Sequence, residues 1–316
     1  MRDHPVLELL RERRAGGGRD DGSVLALVLE GGGMRGVVSS AMAEALQRAG
    51  CTDCFDLVVG TSAGALNGVA FIAGVSHGSV ASYCDADVVR RYIAPRRLLL
   101  GRPAVDVAFV LQYADDVLDA ERHQRALDSP VDFHCVAVDV ETAAPEDLTG
   151  MRTVDELHDA LLATSRLPWI GGDAVPFRGR RYLDGGLAEA VPVATALAAG
   201  ATHALVLQTR PEGVPRAHES ALVERILERR LRRLNPALVD LHRSRVDRYE
   251  QLVADLARWS REPSSAPDGA AVFGVRLPAG TPVVSQLERD PALLSAAAAA
   301  ARRHLTSVID LEEVRS

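Results

Sequence analysis

Lysine is absent from this 316-residue chain, aromatic side chains are few, and no apolar run approaches the roughly 20 residues that cross a bilayer. All 36 basic residues are arginine, which we attribute to codon usage rather than to phosphate recognition. Residues 1–14 are charged throughout and lack the apolar core of a signal peptide. With four cysteines, too few for a disulfide framework, the sequence predicts a cytoplasmic protein in a reducing compartment.

The charge balance and the scattered histidines narrow the function further. A net charge of −7 and a pI near 5.7 argue against general nucleic-acid binding, which usually needs a basic face. Cys51 and Cys54 form a CxxC pair, but no second pair or neighbouring histidine completes a zinc site, so we interpret them as ordinary thiols. The nine histidines form no ligand pattern. We therefore expect neither a metal nor a cofactor, and the sequence leaves the oligomeric state open.

Short apolar runs alternate with helical periodicity from residue 24 onward. Buried strands are predicted at 25–29, 55–59, 133–140 and 203–207, and helices at 37–48 and 63–73. Such alternation is typical of a mainly parallel sheet that is covered by helices on both faces. We expect an α/β fold with three layers, α/β/α.

Composition suggests the domain limits. The run Ala15–Ser23 (AGGGRDDGS) predicts a flexible segment over residues 1–23, followed by one domain over 24–316. Residues 92–119 are a candidate cap, and residues 217–306 are expected to be helical. The basic run 229–233 could contact anionic lipid at a membrane surface, although the solvated face of a packed helix is the commoner meaning.

The segment Gly60-Thr61-Ser62-Ala63-Gly64 matches GxSxG. It follows an apolar run and opens a helical one, the strand–turn–helix setting that exposes a serine hydroxyl at a nucleophile elbow. A second match, Gly74–Gly78, follows a helix and precedes no comparable run, so we predict a loop there. Ser62 is therefore the candidate nucleophile.

Two further glycine motifs accompany the elbow. Gly31-Gly32-Gly33-Met34-Arg35-Gly36 follows the first predicted strand and could form an anion-binding nest of backbone amides. The same residues spell GxGxxG, but the next strand ends in Gly60-Thr61-Ser62, without the acidic residue that a dinucleotide site needs. Asp184-Gly185-Gly186 predicts a sharp turn with an exposed carboxylate; alone it would be an ordinary loop.

Taken in this order, the three motifs resemble those of the patatin-like phospholipase family, bacterial branch. The resemblance extends to Gly64–Asn67 (GALN), Ala163–Pro168 (ATSRLP), Val191-Pro192 and Gln286–Pro291 (QLERDP), and so spans roughly residues 24–305. It implies the three-layer fold and the hydrolysis of acyl esters in lipids or small molecules, with no cofactor.

The resemblance also implies roles for individual residues. Ser62 would attack the ester carbonyl and Asp184 would act as general base, a dyad without histidine. Amides around Gly32, Gly33 and Met34 would hold the oxyanion, with Arg35 fixing the loop or adding positive potential. Arg166 and Trp169 flank Leu167-Pro168 where the family often has small or apolar residues, so both are candidate pocket residues.

Three alternatives stay open at this point. One is an α/β-hydrolase triad of Ser62, an aspartate and His218, a histidine in the loop after a predicted strand. Another is a nucleotide-binding module that uses the GxGxxG loop, and the third is a lipid-binding protein that keeps the fold without catalysis.

Overall fold

One mixed sheet organises the chain. The structure is a computed structural model that describes residues 3–100, 102–114, 119–168, 170–216 and 219–310. Within these residues the strand order is β5-β6-β3-β2-β1-β7-β8, and β4 pairs with β3. The strands are β1 (Leu25–Leu29), β2 (Leu57–Thr61), β3 (Asp132–Asp139), β4 (Pro145–Thr149), β5 (Val175–Phe177), β6 (Arg180–Asp184), β7 (His203–Leu207) and β8 (Ala271–Val275).

Five neighbouring strands, β3-β2-β1-β7-β8, run parallel, and β4, β5 and β6 pair antiparallel at one side. The helices are α1 (Pro5–Glu12), α2 (Gly36–Arg48), α3 (Ala63–Ile72), α4 (Ser76–Cys84), α5 (Ala86–Tyr92), α6 (Val107–Ala114), α7 (Ala120–Leu127), α8 (Val154–Thr164), α9 (Val193–Ala198), α10 (Ala221–Leu234), α11 (Ala237–Arg243), α12 (Arg245–Trp259) and α13 (Pro291–Ile309).

The central strand β1 is buried on both faces, which explains why it has no polar residue. Leu25, Leu27 and Leu29 point into a core shared with α1, α2, α3 and α13, whereas Ala26 and Val28 point into a second core shared with α9 and α12. Successive side chains of a strand alternate between faces, so an all-apolar strand implies two covering layers. The predicted α/β/α architecture with a mainly parallel sheet is confirmed.

The start of the chain differs from its prediction. Residues 5–12 form α1, whose apolar side chains Val6, Leu7 and Leu10 are buried in the first core. Arg13 then binds both oxygens of Asp21 and, at 2.6 Å, Asp56. The prediction of a flexible segment over residues 1–23 is therefore wrong for residues 5–13. The regularly spaced apolar residues in this charged stretch form the buried face of an amphipathic helix.

Two other predictions need correction. The region 217–306 is not wholly helical: α10, α11 and α12 are followed by β8, which extends the parallel sheet beside β7. The second GxSxG match is not a loop, since Ser76 is the buried first residue of α4. The candidate cap contains the end of α5, a 3₁₀ segment at Pro95–Leu100 and α6. Residues 101 and 115–118 of that cap lie outside the described residues.

Candidate functional site

Ser62 and Asp184 lie at the same edge of the sheet. Ser62 directly follows β2, and Asp184 is the last residue of β6. Thr61 pairs with Val136 of β3, and the next β3 residue, Ala137, pairs with Asp184. The backbones of the candidate nucleophile and acid are thus about two strand spacings apart, roughly 10 Å. Residues 122 positions apart in the chain are brought together by β3, which lies between them.

The turn at Ser62 has a strained backbone. Ser62 has φ 54° and ψ −125°, a conformation that a residue with a side chain rarely adopts. Its flanking glycines make the turn sterically possible: a Cβ atom on Gly60 would lie 2.5 Å from the Ala65 nitrogen, and one on Gly64 would collide with the Leu29 carbonyl. The turn therefore holds Ser62 between β2 and α3, in the predicted strand–turn–helix arrangement.

Thr164, the last residue of α8, fastens this turn to the sheet. The Ser62 N–H donates to Thr164 Oγ1 at 2.9 Å, and the Thr164 hydroxyl donates to the carbonyl of Val136 in β3. The neighbouring Thr61 hydroxyl donates to the Glu189 carbonyl at 2.8 Å. Thr164 belongs to the stretch ATSRLP that the sequence singled out, but its role is visible only from the fold.

The glycine loop has fewer free amides than expected. Four of its six N–H groups are bonded within the chain: Gly31 to the Ala190 carbonyl at 2.9 Å, Met34 to Gln286 at 3.1 Å, Arg35 to Gly32 at 3.2 Å, and Gly36 to Gly33 and Met34. Only the amides of Gly32 and Gly33 have no acceptor within the described part of the chain. The expected contribution of the Met34 amide is therefore wrong, because the Gln286 carbonyl already occupies it.

Asp184 is buried and only partly hydrogen-bonded. Asp184 is 4% exposed, and its Oδ1 accepts a hydrogen bond from the Gly186 N–H at 2.7 Å. Oδ2 is buried and accepts no well-formed hydrogen bond from any described residue. Burial raises the pKa of Asp184 to about 6, although the nearby Ser62 hydroxyl, the Gly186 N–H and the charge of Arg216 each lower it. Such a carboxylate is poised to take up a proton near neutral pH.

The buried side chain of Arg35 packs against the glycine loop. It is only 9% exposed, and a Cβ atom on Gly32 would lie 3.0 Å from its Nη2. Burial, and then the charge of Arg210, lower the pKa of Arg35 to about 10. The neighbouring Glu30 has both oxygens bonded, one to the Thr209 N–H at 2.6 Å and one to the Tyr249 hydroxyl at 3.0 Å.

Ser62 lines two cavities, one with charged side chains in its lining and one without. The polar cavity, of about 480 Å³, also contains Gly32, Asp184, Arg210 and Arg216. The apolar cavity, of about 80 Å³, is lined by Gly33 and by side chains of α3, α4, α5 and α6. Its apolar and aromatic lining residues are Met34, Leu66, Tyr83, Val88, Val89, Tyr92, Val107 and Val110. Gly32 lines the polar cavity and Gly33 lines the apolar cavity, and Ser62 lines both.

Arg166, a predicted pocket residue, does not line either cavity. Its guanidinium donates to the Gly171 carbonyl, and its own carbonyl accepts from the Asp184 N–H at 2.9 Å. Leu167 and Pro168 line the polar cavity in its place. The prediction for Arg166 is therefore corrected from substrate contact to support of the acid. Trp169 and His218 lie outside the described residues.

Within the described ranges, no group of three or more histidine, cysteine, aspartate or glutamate side chains is arranged to hold a metal ion. A search of the described helices for one both long and apolar enough to cross a membrane finds no candidate. Thr164, Arg210, Arg216 and Tyr249 are the residues at the site to which sequence reasoning gave no role.

Comparison with known proteins assigns the family. The model of the patatin-like phospholipases matches residues 27–197, more than half of the chain. The uncharacterized protein YjjU of Escherichia coli (strain K12) is 31% identical over 192 residues, 59% of this chain and 52% of that protein. The chain thus spans about half the length of this curated relative. VipD from Legionella pneumophila aligns with 91% of this chain and 67% of its own, at 11% identity and a TM-score of 0.42, too low to support an inference. The family match confirms the resemblance, and the chain belongs to the patatin-like phospholipase family of lipid acyl hydrolases.

Proposed function

We propose that the protein is a serine acyl hydrolase, of the lipase, phospholipase A or carboxylesterase type, with Ser62 as nucleophile and Asp184 as general base. The observation that carries the proposal is the pairing of a serine that has a strained backbone and lines both cavities with a buried carboxylate that has an unused oxygen and a pKa of about 6. A base of that pKa is largely ionised at neutral pH and still accepts a proton readily.

Acylation begins when Ser62 Oγ attacks the carbonyl carbon of the ester and its proton passes to Asp184. The carbonyl oxygen becomes an oxyanion, which accepts hydrogen bonds from the N–H groups of Gly32 and Gly33. When the tetrahedral intermediate collapses, the bond to the alcohol oxygen breaks and Asp184 returns the proton to the leaving alkoxide. The product of this step is an acyl ester on Ser62 and a free alcohol.

Deacylation repeats the sequence with water as the nucleophile. Asp184 takes a proton from the water as the oxygen attacks the acyl carbonyl, the same two amides hold the second oxyanion, and the proton passes to Ser62 Oγ as the acid leaves. Each amide that stabilises the oxyanion lowers the barrier by about 3 kcal/mol in comparable sites. Gly32 and Gly33 serve this purpose because their amides have no internal acceptor.

The apolar cavity is the natural place for the acyl chain. It is lined by hydrophobic side chains and opens on Ser62, but at about 80 Å³ it accommodates only a short chain as it stands. One of its walls, α6, and the last residue of α5, Tyr92, belong to the candidate cap. We propose that displacement of this cap admits longer chains, which need more volume than the cavity now provides.

Peripheral contact with a membrane would bring the site to lipid substrates. The outer face of α10 presents the exposed side chains of Arg229, Arg230, Arg232 and Arg233, together with Leu222, which is 68% exposed. An amphipathic helix with a basic face binds anionic lipid surfaces. We propose this face as the membrane-facing side of the protein.

The test is labelling with a fluorophosphonate, followed by mass spectrometry of the peptides. Such probes react with activated serines, so we expect the adduct on Ser62, strongly reduced labelling in Asp184→Asn, and none on residue 62 in Ser62→Ala. Ser76→Ala is the matched control, since it alters the other GxSxG serine, and it should be labelled like the wild type. An adduct on Ser76 would contradict the assignment.

A His218→Ala variant separates the dyad from a triad. We expect it to keep at least half of the esterase activity, because the dyad needs no histidine. Near-complete loss would favour the Ser62–Asp–His218 triad instead. If Ser62→Ala left every activity intact while ATP or NAD raised the melting temperature, the glycine loop would be a nucleotide site and the hydrolase proposal would fail.

A further inference from the structure

A short segment near the end of the chain contacts the glycine loop. Residues 285–290 (SQLERD), called the 285–290 segment, lie between β8 and α13, and the first three of them line the polar cavity. The sequence resemblance includes most of this segment, yet the proposed mechanism gives it no role. Its contacts with the glycine loop indicate what that role is.

The glycine loop is held at two points, one on each side of its free amides. The Gly31 N–H donates to the carbonyl of Ala190 at 2.9 Å, and the Met34 N–H donates to the carbonyl of Gln286 at 3.1 Å. The two glycines between these anchors carry the amides that are proposed to bind the oxyanion. Glycine has little conformational preference of its own. The two hydrogen bonds from outside the loop therefore fix the direction of the free amides.

The backbone of the loop also packs closely on Gln286. Gly33 has φ 57°, and a Cβ atom on it would lie 2.6 Å from the carbonyl oxygen of Gln286 and 3.0 Å from its Cγ. A shift of Gln286 would therefore move Gly33, and with it one of the two oxyanion donors. Such donors stabilise an oxyanion only when they are held in the productive geometry before the reaction begins.

Glu288 fixes the shape of this segment. Its Oε2 accepts from the Ser285 hydroxyl at 3.1 Å, and its Oε1 accepts from the N–H groups of Arg289 and Asp290 at 2.9 and 3.2 Å. The bond from Arg289, with burial opposing it, holds the pKa of Glu288 below its usual value, so the carboxylate is ionised at neutral pH. One side chain thus joins the residues on both sides of the anchoring carbonyl and closes the segment into a turn.

The segment and the glycine loop continue into two helices that pack against each other. Asp290 caps the first turn of α13, and Gly36, which ends the glycine loop, is the first residue of α2. The two helices meet in the first core, and Arg302 of α13 binds Glu44 of α2 at 2.6 Å. The anchoring hydrogen bond thus joins two parts of the chain whose relative position is already fixed.

We propose that the 285–290 segment positions the oxyanion amides, with Gln286 as the contact and Glu288 as the positioning residue that holds Gln286 in place. This inference rests on the proposed hydrolase function and adds a positioning residue to it. Glu288 acts through the Gln286 carbonyl on Gly33 and not on the substrate. The oxyanion exists in the transition state and not in the bound ester, so the effect falls on kcat rather than on KM.

The kinetic test removes the carboxylate of Glu288. With 4-nitrophenyl butyrate as substrate, we expect Glu288→Ala to lower kcat about tenfold, expressed per serine that a fluorophosphonate labels, while KM changes less than about twofold. Glu288→Gln keeps an acceptor oxygen and should restore most of kcat. Arg289→Gln, which alters an exposed side chain of the same segment, is the matched control and should stay within about twofold of the wild type. An unchanged kcat in Glu288→Ala would overturn the proposal.

A trifluoromethyl ketone inhibitor distinguishes positioning from packing. Such a ketone adds to the nucleophilic serine as an oxyanion, so its Ki should rise about tenfold in Glu288→Ala, in parallel with the loss of kcat. A Ki that stayed at the wild-type value while KM rose would show that the 285–290 segment shapes the substrate cavity, and the proposal would be refuted.

Amide hydrogen exchange separates this inference from the hydrolase proposal, because it needs no turnover. In Glu288→Ala the Met34 N–H should exchange about tenfold faster than in the wild type, whereas the Gly31 N–H, which is bonded to Ala190, should exchange at the wild-type rate. Unchanged exchange at Met34 would refute the positioning role even if esters were hydrolysed. Faster exchange in a protein whose Ser62 reacts with neither ester nor fluorophosphonate would support the contact and refute the hydrolase proposal alone.

Discussion

Two buried aspartates at the same side of the sheet differ in the number of hydrogen bonds that they accept. Asp139 ends β3, and Asp184 ends the antiparallel neighbour β6, where it pairs with Ala137. Asp139 accepts from the N–H groups of Glu141 and Thr142 at 2.7 and 2.8 Å and from Arg180 at 2.6 Å. Asp184 accepts one such bond, from Gly186, and has a buried oxygen without one.

The pKa values of these two aspartates are therefore shifted in opposite directions. Burial raises the pKa of Asp139, but the donors at Thr142, Arg180 and Glu141 outweigh it and lower the pKa overall. At Asp184 burial prevails and the pKa rises to about 6. A buried aspartate with several hydrogen-bond donors stays ionised and stabilises the fold, whereas one with few donors can take up a proton near neutral pH. The number of donors decides between these two outcomes.

The largest expected effect comes from removing the charge of Asp184. Asp184→Asn should lower kcat/KM for ester hydrolysis on the order of a thousandfold, because an amide cannot take the proton of Ser62. The free energy of unfolding at pH 7 should not fall, since the variant no longer buries a charge at a group whose folded pKa is raised. Esterase kinetics and urea unfolding of the same protein measure both. A variant that unfolds more easily but stays active would reverse the assignment.

The pH profile tests the acidity of Asp184 directly. Because the base must be ionised, kcat/KM should fall tenfold per pH unit below about 6 and be about a hundredfold lower at pH 4 than on the plateau. His218→Ala should keep this acidic limb, which would exclude His218 as its source. A limb that moved to below pH 5, the range of an ordinary carboxyl group, would show that burial does not tune this residue.

Asp139→Asn should affect stability and leave the chemistry intact. Loss of the charge weakens bonds to two backbone N–H groups and to Arg180, and we expect about 2 kcal/mol lower free energy of unfolding at pH 7. A lowered folded pKa stabilises the protein above the unfolded value near 4 and this stabilisation is lost as the pH falls through the folded value, so the difference between wild type and variant should be smaller at pH 3 than at pH 7. Urea unfolding at both pH values measures this.

The control for that variant is Glu146→Gln, which alters a partly exposed partner of Arg180 at 3.3 Å. It should change the free energy of unfolding by less than about 0.5 kcal/mol. The specific activity of folded Asp139→Asn should stay within twofold of the wild type, and a hundredfold loss would contradict the division of roles between the two aspartates.

The smallest expected effect is at Thr164, which positions Ser62 without contacting substrate. Thr164→Val removes the acceptor of the Ser62 N–H and the donor to Val136, and we expect kcat to fall about tenfold with KM nearly unchanged. Thr164→Ser keeps the hydroxyl and should restore most of kcat. A rise in KM that Thr164→Ser does not reverse would indicate that Thr164 acts through packing only.

The sequence predicts the sheet and the elbow because both are local patterns. Apolar runs give β1, β2, β3 and β7, and the glycines on either side of Ser62 report how closely α3 approaches the end of β1. The antiparallel β4, β5 and β6 and the edge strand β8 were not predicted. The antiparallel strands are polar or short, and their burial comes from neighbours that the sequence alone does not reveal, whereas β8 (AVFGV) is as long as β1 and apolar, so its local pattern does predict a strand.

The parts of the site that escaped prediction depend on distant partners. The bond from Ser62 to Thr164 joins residues 102 positions apart. The carbonyl that occupies the Met34 amide comes from Gln286, and no local pattern shows which amides remain free. Arg210 could have been found, because it follows β7 at the carboxyl edge of the parallel strands, where ligands of such sheets bind.

The helix α1 has a practical consequence for anyone who expresses this protein. Composition would recommend starting a shortened version at Val24, just after the glycine-rich stretch. Such a version would uncover the apolar surface that Leu7 and Leu10 now cover, including Phe273 of β8, which lies 4.9 Å from the ring of His4. It would also remove Arg13 and Arg19, leaving Asp56 without its ion pairs and the Cys54 carbonyl without the hydrogen bond from Arg13. Poor solubility of the trimmed protein would then reflect an opened core and say nothing about the catalytic groups.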